Sequence, residues 1–159
     1  MLIWGFTYQL DPEGRFQNLS ENQFDLVVSS DVFEHLPYDL IPGILENLYK
    51  ISKPGTWAYH QIVLTDHLKI YAKSIHAKQY LSYSNQHWNR YLSNSIQYIN
   101  RVQLPEWRTL ISNAGFRIVD ERHIGRCVLS ELVISPVFSI VPRQDLECTV
   151  VQFLLQKPS

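Results

Sequence analysis

Two acids and a histidine lie close together directly after a short apolar stretch. Residues 24–36 read FDLVVSSDVFEHL, so Asp31, Glu34 and His35 stand at positions i, i+3 and i+4. If this turn is helical, that spacing places the three polar side chains on one face. Histidine exchanges protons near neutral pH, since its unperturbed pKa is about 6.5. The pattern therefore indicates that three polar groups face one crevice.

A purely structural interpretation of the same residues stays open. Asp31 could cap a short helical turn, because aspartate is among the preferred residues at the start of a helix. Glu34 and His35 would then be solvated surface residues. Spacing alone does not decide between this interpretation and a functional crevice.

Alternating strand and helix patterns surround the cluster. Apolar residues recur at helical spacing from 41 to 48, and again from 107 to 114 after Pro105, which predicts two helices. Short apolar runs lie between and around these helices, as in sheets buried on both faces. The sequence therefore predicts an α/β three-layer sandwich, with parallel strands near 24–29, 56–64 and 116–121 and an antiparallel partner near 149–156.

The cluster falls where a ligand site is expected in such a fold. In open α/β sheets, ligands bind at the carboxyl ends of the strands. Ser29, Ser30 and Asp31 lie where the first predicted strand ends, and Asp66 with His67 lies at the end of the second. We therefore expect both groups at the same edge of the sheet.

Composition excludes several classes of function. The 159 residues fit one domain, 1–159, and contain 14 Lys plus Arg against 15 Asp plus Glu. This balance favours no nucleic acid or anionic membrane partner, and a small-molecule ligand is expected instead. No apolar run approaches the roughly 18 residues of a membrane span. Cys127 and Cys148 lack metal-ligand spacing, which favours reduced thiols in a cytoplasmic protein, although a single disulfide stays possible.

Three consecutive segments carry a family resemblance: residues 24–36, the helix after them, and Lys53-Pro54-Gly55. They resemble the fourth strand, the following helix and the start of the fifth strand of class I S-adenosylmethionine-dependent methyltransferases, in particular the small-molecule, type 11/12-like branch. Residues 114–119 resemble the turn into the sixth strand of that family, and residues 149–157 its antiparallel seventh strand. The resemblance covers most of residues 16–157 and implies S-adenosylmethionine as cofactor and a small-molecule acceptor.

The sequence departs from this family in its first residues. Members begin with a strand, a glycine-rich loop that approaches the methionine part of the cofactor, and a second strand ending in a ribose-binding acid. No GxGxG stretch occurs in the 159 residues. The chain is therefore expected to correspond to the carboxyl-terminal part of a methyltransferase, lacking the first two strands and weak or inactive by itself. The strand at 24–29 would then expose a hydrogen-bonding edge, through which self-association is expected.

The resemblance also implies roles for individual residues. The part of the cofactor site expected to remain consists of Phe16, Gln17, Asn18, Ser29, Ser30 and Asp31. Methyl transfer to a hydroxyl needs a base, for which His35 is the first candidate and Asp66 and His67 are the second. Asp31, Glu34 and His35 also resemble the acid-rich turn of quinone-pathway O-methyltransferases, some of which use a divalent ion there. Three such ligands could hold an ion, but no metal site is predicted.

Residues 65–104 are predicted to form a cap on the acceptor side, as the resembled family implies. Their aromatic and amide side chains suit a planar or sugar-like acceptor. They could equally pack a cap or a dimer contact. His60 falls inside a strand pattern and is predicted to be structural. Two other functions stay open: a non-catalytic interaction module derived from the methyltransferase fold, and a domain binding another nucleotide cofactor.

Overall fold

The computed structural model describes residues 8–11, 14–94 and 98–159. Its sheet has four strands in the order β1-β2-β4-β3. Strand β1 pairs in parallel with β2, and β4 is antiparallel to both β2 and β3. Strands β1, β2 and β3 therefore run in one direction, which confirms the predicted α/β arrangement. The strands are β1 (Phe24–Ser30), β2 (Ser52–Val63), β3 (Arg117–Arg126) and β4 (Cys148–Gln156).

Two helices of substantial length connect the strands, and shorter ones occur in the loops. The helices are α1 (Ile41–Ile51), α2 (Leu68–Tyr71), α3 (Asn85–His87), α4 (Leu104–Asn113) and α5 (Arg143–Leu146). A π-helical turn follows α3, and four 3-10 turns are found at Phe33–His35, Tyr38–Leu40, Gln79–Ser82 and Pro136–Phe138. None of the described helices combines the length and the apolar character needed to cross a bilayer.

Helices α1 and α4 cover one face of the sheet. Their apolar stripes are buried against side chains of β2 and β4 that point to the same face. The Lys157 ammonium group closes the end of α1, because it donates hydrogen bonds to the Tyr49 and Ser52 carbonyls at 2.9 and 2.8 Å. Cations are favoured at this end of a helix, where carbonyl groups lack partners.

The opposite face of the sheet carries exposed apolar side chains. Leu26 is 59% exposed, Val28 62% and Trp57 40%. These residues are on one face, because Leu26 pairs with Trp57 and Val28 with Tyr59 in the β1–β2 ladder. The described residues thus form the sheet and one helical layer of the predicted three-layer sandwich.

Strand β2 begins four residues earlier than predicted. The strand is predicted at 56–64, yet residues 52–55 also belong to it. These four residues are accommodated as an irregularity in the ladder, which steps from the pair Phe24–Ser52 to the pair Leu26–Trp57. Gly55 supplies the positive φ of 79° that this local bend requires.

A second apolar cluster lies beside the main core. Its buried members come from the predicted cap and from a second segment between β3 and β4, and they are Tyr80, Leu81, Trp88, Ile99, Leu129, Phe138 and Leu146. The cap therefore packs against residues 127–147, a contact that sequence patterns did not predict.

Candidate functional site

The turn after β1 is anchored by an aromatic stack. Phe33 is buried, with its ring centroid 4.6 Å from that of His60 and 5.9 Å from that of Trp107. Asp31 begins the turn in the left-handed region, at φ 57°, and only Phe33–His35 forms a 3-10 helix. Asp31 thus lies outside the helical turn. The prediction that Asp31, Glu34 and His35 share one helical face is therefore wrong for Asp31.

The turn brings Glu34 and His35 next to His67, which follows β2. One ligand atom from each residue lies within 4.8 Å of the others, and the two imidazole centroids are 4.9 Å apart. Glu34 is only 3% exposed. Neither of its carboxylate oxygens has a hydrogen-bond partner among the described residues. The edge of the sheet therefore contains a buried acid facing two histidines.

A backbone hydrogen bond fixes the tautomer of His35. Its Nδ1 lies 2.8 Å from the carbonyl oxygen of Tyr98. A carbonyl oxygen only accepts hydrogen bonds, so Nδ1 must carry the proton and donate. In the neutral ring, Nε2 is therefore the atom with a free lone pair. His35 is exposed, so this nitrogen is available to accept a proton or to bind an ion.

Burial changes the protonation of the other two groups. The pKa of Glu34 rises from 4.5 to about 6, chiefly because burial disfavours the carboxylate, although nearby backbone N–H groups and His35 oppose the change. The pKa of His67 is lowered, first by burial and then by His35. Both changes favour neutral forms, as expected where charge is removed from water.

Asp66, a second candidate base, lies inside the protein. It is 1% exposed, and its Oδ1 accepts a hydrogen bond from the Leu68 N–H at 2.9 Å. Burial raises the pKa of this carboxyl group. Asp66 therefore holds the start of α2 in place beside His67, and its role as a base stays a prediction.

The three predicted cofactor residues at the end of β1 differ in direction. Ser29 faces the helical side, where its Oγ lies 2.8 Å from Nδ1 of His60. Ser30 and Asp31 are exposed, and both accept hydrogen bonds from Nε2 of Gln61, at 3.3 and 3.0 Å. Ser30 and Asp31 are thus the side chains of this group that are open to a ligand.

The other predicted cofactor residues lie along α1. The Arg15 carbonyl accepts a hydrogen bond from Asn47 at 2.7 Å, in the second half of that helix. Phe16 packs against the core, whereas Gln17 and Asn18 are exposed. Within residues 8–11, 14–94 and 98–159, no hydrogen bond or ring contact joins Phe16, Gln17 or Asn18 to the end of β1. Their contribution to the cofactor site therefore stays a prediction.

His60 is a core residue, as predicted. It is fully buried, and burial lowers its pKa from 6.5 to about 4. Its position in β2, stacked on Phe33, keeps the ring neutral at physiological pH. His60 thus positions the turn that carries Glu34 and His35.

A cavity of about 660 Å³ opens beside Tyr98. Such a volume is typical of small-molecule sites, which combine apolar walls with a few polar groups. Across it, the Tyr38 hydroxyl donates to Glu106 at 2.5 Å. Sequence patterns missed the contribution of residues 137–142, which have no regular periodicity. The walls are formed mainly by Tyr38, Trp88, Tyr98, Pro105, Phe138 and Val141.

Comparisons with known proteins agree with this geometry. The profile of a family described as "Methyltransferase domain" matches residues 7–121, more than half of the chain. No curated protein matches the sequence significantly. Among solved structures, a methyltransferase from Methanosarcina mazei shares 14% identity and a TM-score of 0.57, covering 94% of this chain and 66% of the other.

Two further solved structures are also similar to this chain. A methyltransferase from Archaeoglobus fulgidus shares 15% identity and a TM-score of 0.56, covering 94% of this chain and 66% of the other. The 1,6-didemethyltoxoflavin-N1-methyltransferase of Burkholderia thailandensis, solved with S-adenosylhomocysteine, shares 13% identity and a TM-score of 0.51, covering 91% and 48%. The chain therefore spans less than two thirds of the length of each of these structures.

The fold and the matched profile define the class. The chain belongs to the methyltransferase domain family, whose neighbours in structure depend on S-adenosylmethionine, so this is the expected cofactor. Ser30 and Asp31 present an exposed hydroxyl and an exposed carboxylate at this edge, and their contact with the cofactor stays a prediction. The glycine-rich loop that would contact its methionine part is absent from the sequence.

Proposed function

We propose that this domain takes part in methyl transfer from S-adenosylmethionine to a hydroxyl group of a small-molecule acceptor. The observation that carries the proposal is the His35–Tyr98 hydrogen bond. It leaves Nε2 as the proton acceptor at the carboxyl edge of the sheet, where ligands bind in this fold.

The cofactor supplies an electrophilic methyl group on a sulfonium. The acceptor hydroxyl gives its proton to Nε2 of His35, its oxygen forms the new bond to the methyl carbon, and the carbon–sulfur bond breaks with its electron pair left on sulfur. In the neutral ring, the tautomer set by Tyr98 leaves the Nε2 lone pair free to take this proton. His67 lies close enough to disfavour a second charge on the pair.

The cavity beside Tyr98 supports a small, flat acceptor. Its aromatic and apolar walls suit an apolar body, and Glu106 offers a carboxylate at its rim. Tyr98 also joins this cavity to His35, because its carbonyl binds the histidine while its side chain lines the wall. A hydroxylated aromatic compound is therefore the acceptor class to test first.

Replacing His35 with Ala tests the assignment. With millimolar cofactor and a panel of phenols, we expect turnover to fall by about a hundredfold, the usual contribution of a positioned base. His123→Ala is the matched control, since His123 lies on β3 and contacts Glu121. Turnover of the His35 variant equal to that of the control would remove His35 from the role.

Cofactor affinity is the second measurable consequence. The 159 residues contain no glycine-rich loop, so a large part of the usual contact area is missing. Each loss of about 1.4 kcal/mol weakens binding about tenfold. We therefore expect calorimetry to show no saturable binding of S-adenosylmethionine at concentrations below about 1 mM, because several contacts are lost. Micromolar binding would show that the described residues build a cofactor site by themselves.

A non-catalytic interaction module is the second candidate. The observation in its favour is the apolar sheet face with Leu26, Val28 and Trp57 exposed, because large exposed apolar patches mark interaction surfaces. Under this candidate, His35→Ala would change no measured property other than local stability.

A further inference from the structure

The cavity beside Tyr98 has a cation in its wall without an acidic partner. Arg101 and Glu106 are the charged residues among those that line it, and no acid in the described part of the chain forms an ion pair with Arg101. We propose that Arg101 binds a carboxylate of the acceptor, which makes an aromatic hydroxy acid the substrate class of this cavity. The inference rests on the proposed function only in calling the bound molecule an acceptor, because ligand binding is measured without turnover.

The hydrogen bonds of Arg101 leave part of its guanidinium group free. Nη1 donates to the Tyr80 and Tyr83 carbonyls at 3.0 and 2.7 Å, and Nη2 donates to Oδ1 of Asn85 at 2.5 Å. A guanidinium has five N–H groups, so the Nε–H and one Nη2–H of Arg101 have no acceptor among the described residues. Two donors on adjacent nitrogens are therefore left for a ligand.

The same two nitrogens bind a carboxylate elsewhere in this molecule. Arg108 donates from Nε to Oε2 of Glu121 at 2.8 Å and from Nη2 to Oε1 at 2.7 Å. Such bidentate pairs match the planar guanidinium to both oxygens of a carboxylate, and they are stronger than hydrogen bonds between neutral groups. The free N–H groups of Arg101 therefore suit a carboxylate better than a neutral amide, which offers a single oxygen.

Two aromatic rings hold the Arg101 guanidinium group at the cavity. Its Cζ lies 4.9 Å from the ring centroid of Trp88 and 5.2 Å from that of Phe138, and both rings line the cavity. The rings restrict the side chain, but they carry no formal charge to balance it. Burial lowers the pKa of Arg101, yet an arginine stays protonated in proteins. A bound anion would supply the missing opposite charge.

Glu106 is the other charged residue of the wall, and it opposes an anion only weakly. It is exposed, and its Oε1 accepts a hydrogen bond from the Tyr38 hydroxyl at 2.5 Å. Water screens an exposed charge more strongly than a half-buried one such as Arg101. The field inside the cavity is therefore expected to favour a negative group.

The chain between Tyr98 and Arg101 relates this cation to the candidate base. The Tyr98 carbonyl binds Nδ1 of His35, and the Asn100 N–H donates to the Glu34 carbonyl at 2.7 Å. Three residues of fully extended chain span at most about 11 Å, so the Cα atoms of Tyr98 and Arg101 are no farther apart than that. A single aromatic ring with a hydroxyl at one end and a carboxylate at the other is compatible with this separation.

The first test compares an acid with its neutral isostere on the parent chain. Para-hydroxybenzoate and para-hydroxybenzamide differ in the carboxylate, and calorimetry at neutral pH without cofactor gives a dissociation constant for each. We expect the acid to bind at least about tenfold more tightly, because hydrogen bonds to charged groups are stronger than neutral ones. A preference below about threefold, or binding of neither molecule, would overturn the inference.

Asn85→Asp gives Arg101 an acidic partner within the protein. The substitution keeps the side-chain oxygen that accepts the Nη2 hydrogen bond, so the variant is expected to fold. The preference for the acid should fall to about one, while the affinity for the amide stays within about twofold of the parent value. Asn94→Asp is the matched control, because it adds the same charge to the cap outside the cavity wall and should keep the parent preference.

Arg101→Gln tests the same side chain directly. It removes the bonds to two cap carbonyls together with the charge, so a loss of stability is expected as well. The ratio of the two dissociation constants separates these effects, because a structural loss alone weakens the binding of both molecules. If Asn85→Asp or Arg101→Gln, folded by circular dichroism, keeps the parent ratio, the inference is overturned.

The two proposals fail separately. An acid preference without methyl transfer would support this inference and contradict the proposed function. Methyl transfer to neutral phenols by a chain without an acid preference would support the proposed function and overturn this inference.

Discussion

Two groups of charged side chains in this molecule differ in how completely they are paired. At the junction of α4, β3 and α5, Arg108 contacts Glu121 through Nε and Nη2 at 2.8 and 2.7 Å, and Asp145 through Nη1 at 2.9 Å. His123 adds a contact to Glu121 at 2.6 Å. At the carboxyl edge of the sheet, by contrast, Glu34 faces His35 and His67, and no described residue forms a hydrogen bond of normal geometry to its carboxylate.

The difference appears in the protonation of the two acids. Arg108 lowers the pKa of Glu121, whereas burial raises the pKa of Glu34 to about 6. A paired buried charge ties secondary-structure elements together, and an unpaired one weakens the fold unless a ligand completes it. Perturbed groups without partners, located where the fold places ligands, are therefore the better candidates for function.

Removal of Arg108 should give the largest change in stability. Arg108→Met leaves Asp145 and Glu121 with exposures of 5% and 16% and without their cation. Arg108 itself is 35% exposed, so the full penalty for a buried pair is reduced by solvent. We expect unfolding to become easier by about 2–3 kcal/mol, measured by urea denaturation at pH 7.

Arg122→Met is the matched control for this variant. Arg122 is 70% exposed and pairs with Asp120, so its loss should change stability by less than about 1 kcal/mol. If both substitutions changed the free energy of unfolding equally, the Arg108 ion pairs would contribute no more than an exposed pair. The contrast between the paired Glu121 and Glu34 would then not be supported.

Glu34→Gln should give a smaller change with a characteristic pH dependence. An acid whose folded pKa lies above the unfolded value holds its proton longer in the folded state, so stability falls as pH rises between 4.5 and about 6. The wild-type chain should lose up to about 2 kcal/mol in this window relative to the variant. The two proteins should therefore be equally stable at pH 4, and the variant more stable at pH 7.

Glu121→Gln is expected to show the opposite sign. The lowered pKa of Glu121 means that its contribution is present above the unfolded value of 4.5 and is lost as pH falls through the folded value. This variant should therefore be less stable than the parent at pH 7. Parallel pH profiles for the two variants, measured by thermal unfolding, would contradict the distinction between the two acids.

The sequence predicted the parts of this fold that local chemistry determines. The apolar run of β1, the helical spacing of α1 and α4 and the polar residues at the strand ends all follow from residue type and period. Family resemblance supplied the order of the strands and the expected cofactor. The choice of His35 as candidate base came from its position shortly after the predicted strand together with the family resemblance, and that role stays a prediction.

The contacts across the sheet could not be predicted in the same way. The approach of His67 to Glu34 depends on the parallel pairing of β1 with β2, and the tautomer of His35 depends on a backbone carbonyl from residue 98. Ser29 turned toward His60 because alternate residues of a strand face opposite sides. The placement of residues 16–18 depends on contacts distant in sequence, among them the hydrogen bond from Asn47 to the Arg15 carbonyl and the packing of Phe16 against the core.

The same distinction between satisfied and unsatisfied groups applies to the two edges of the sheet, where the smallest effect is expected. In the described part of the chain, β1 pairs only with β2 and β3 only with β4. The β3 edge carries Arg117, Asp120, Arg122 and Arg126, and charged residues protect an edge from pairing. The β1 edge carries the exposed apolar Leu26 and Val28. We therefore expect weak self-association through β1, visible by light scattering at high protein concentration.

Two lysine substitutions on the exposed face separate the edges. Val28→Lys places a charge on β1, where Val28 is 62% exposed, and Val119→Lys places one on β3, where Val119 is 44% exposed. Both should leave unfolding within about 0.5 kcal/mol of the parent, as is usual for surface sites. Only Val28→Lys should reduce the average mass toward that of the monomer, because it places a charge among the exposed apolar side chains of the β1 edge. A monomeric parent, or an equal effect of both lysines, would show that β1 is not the associating edge.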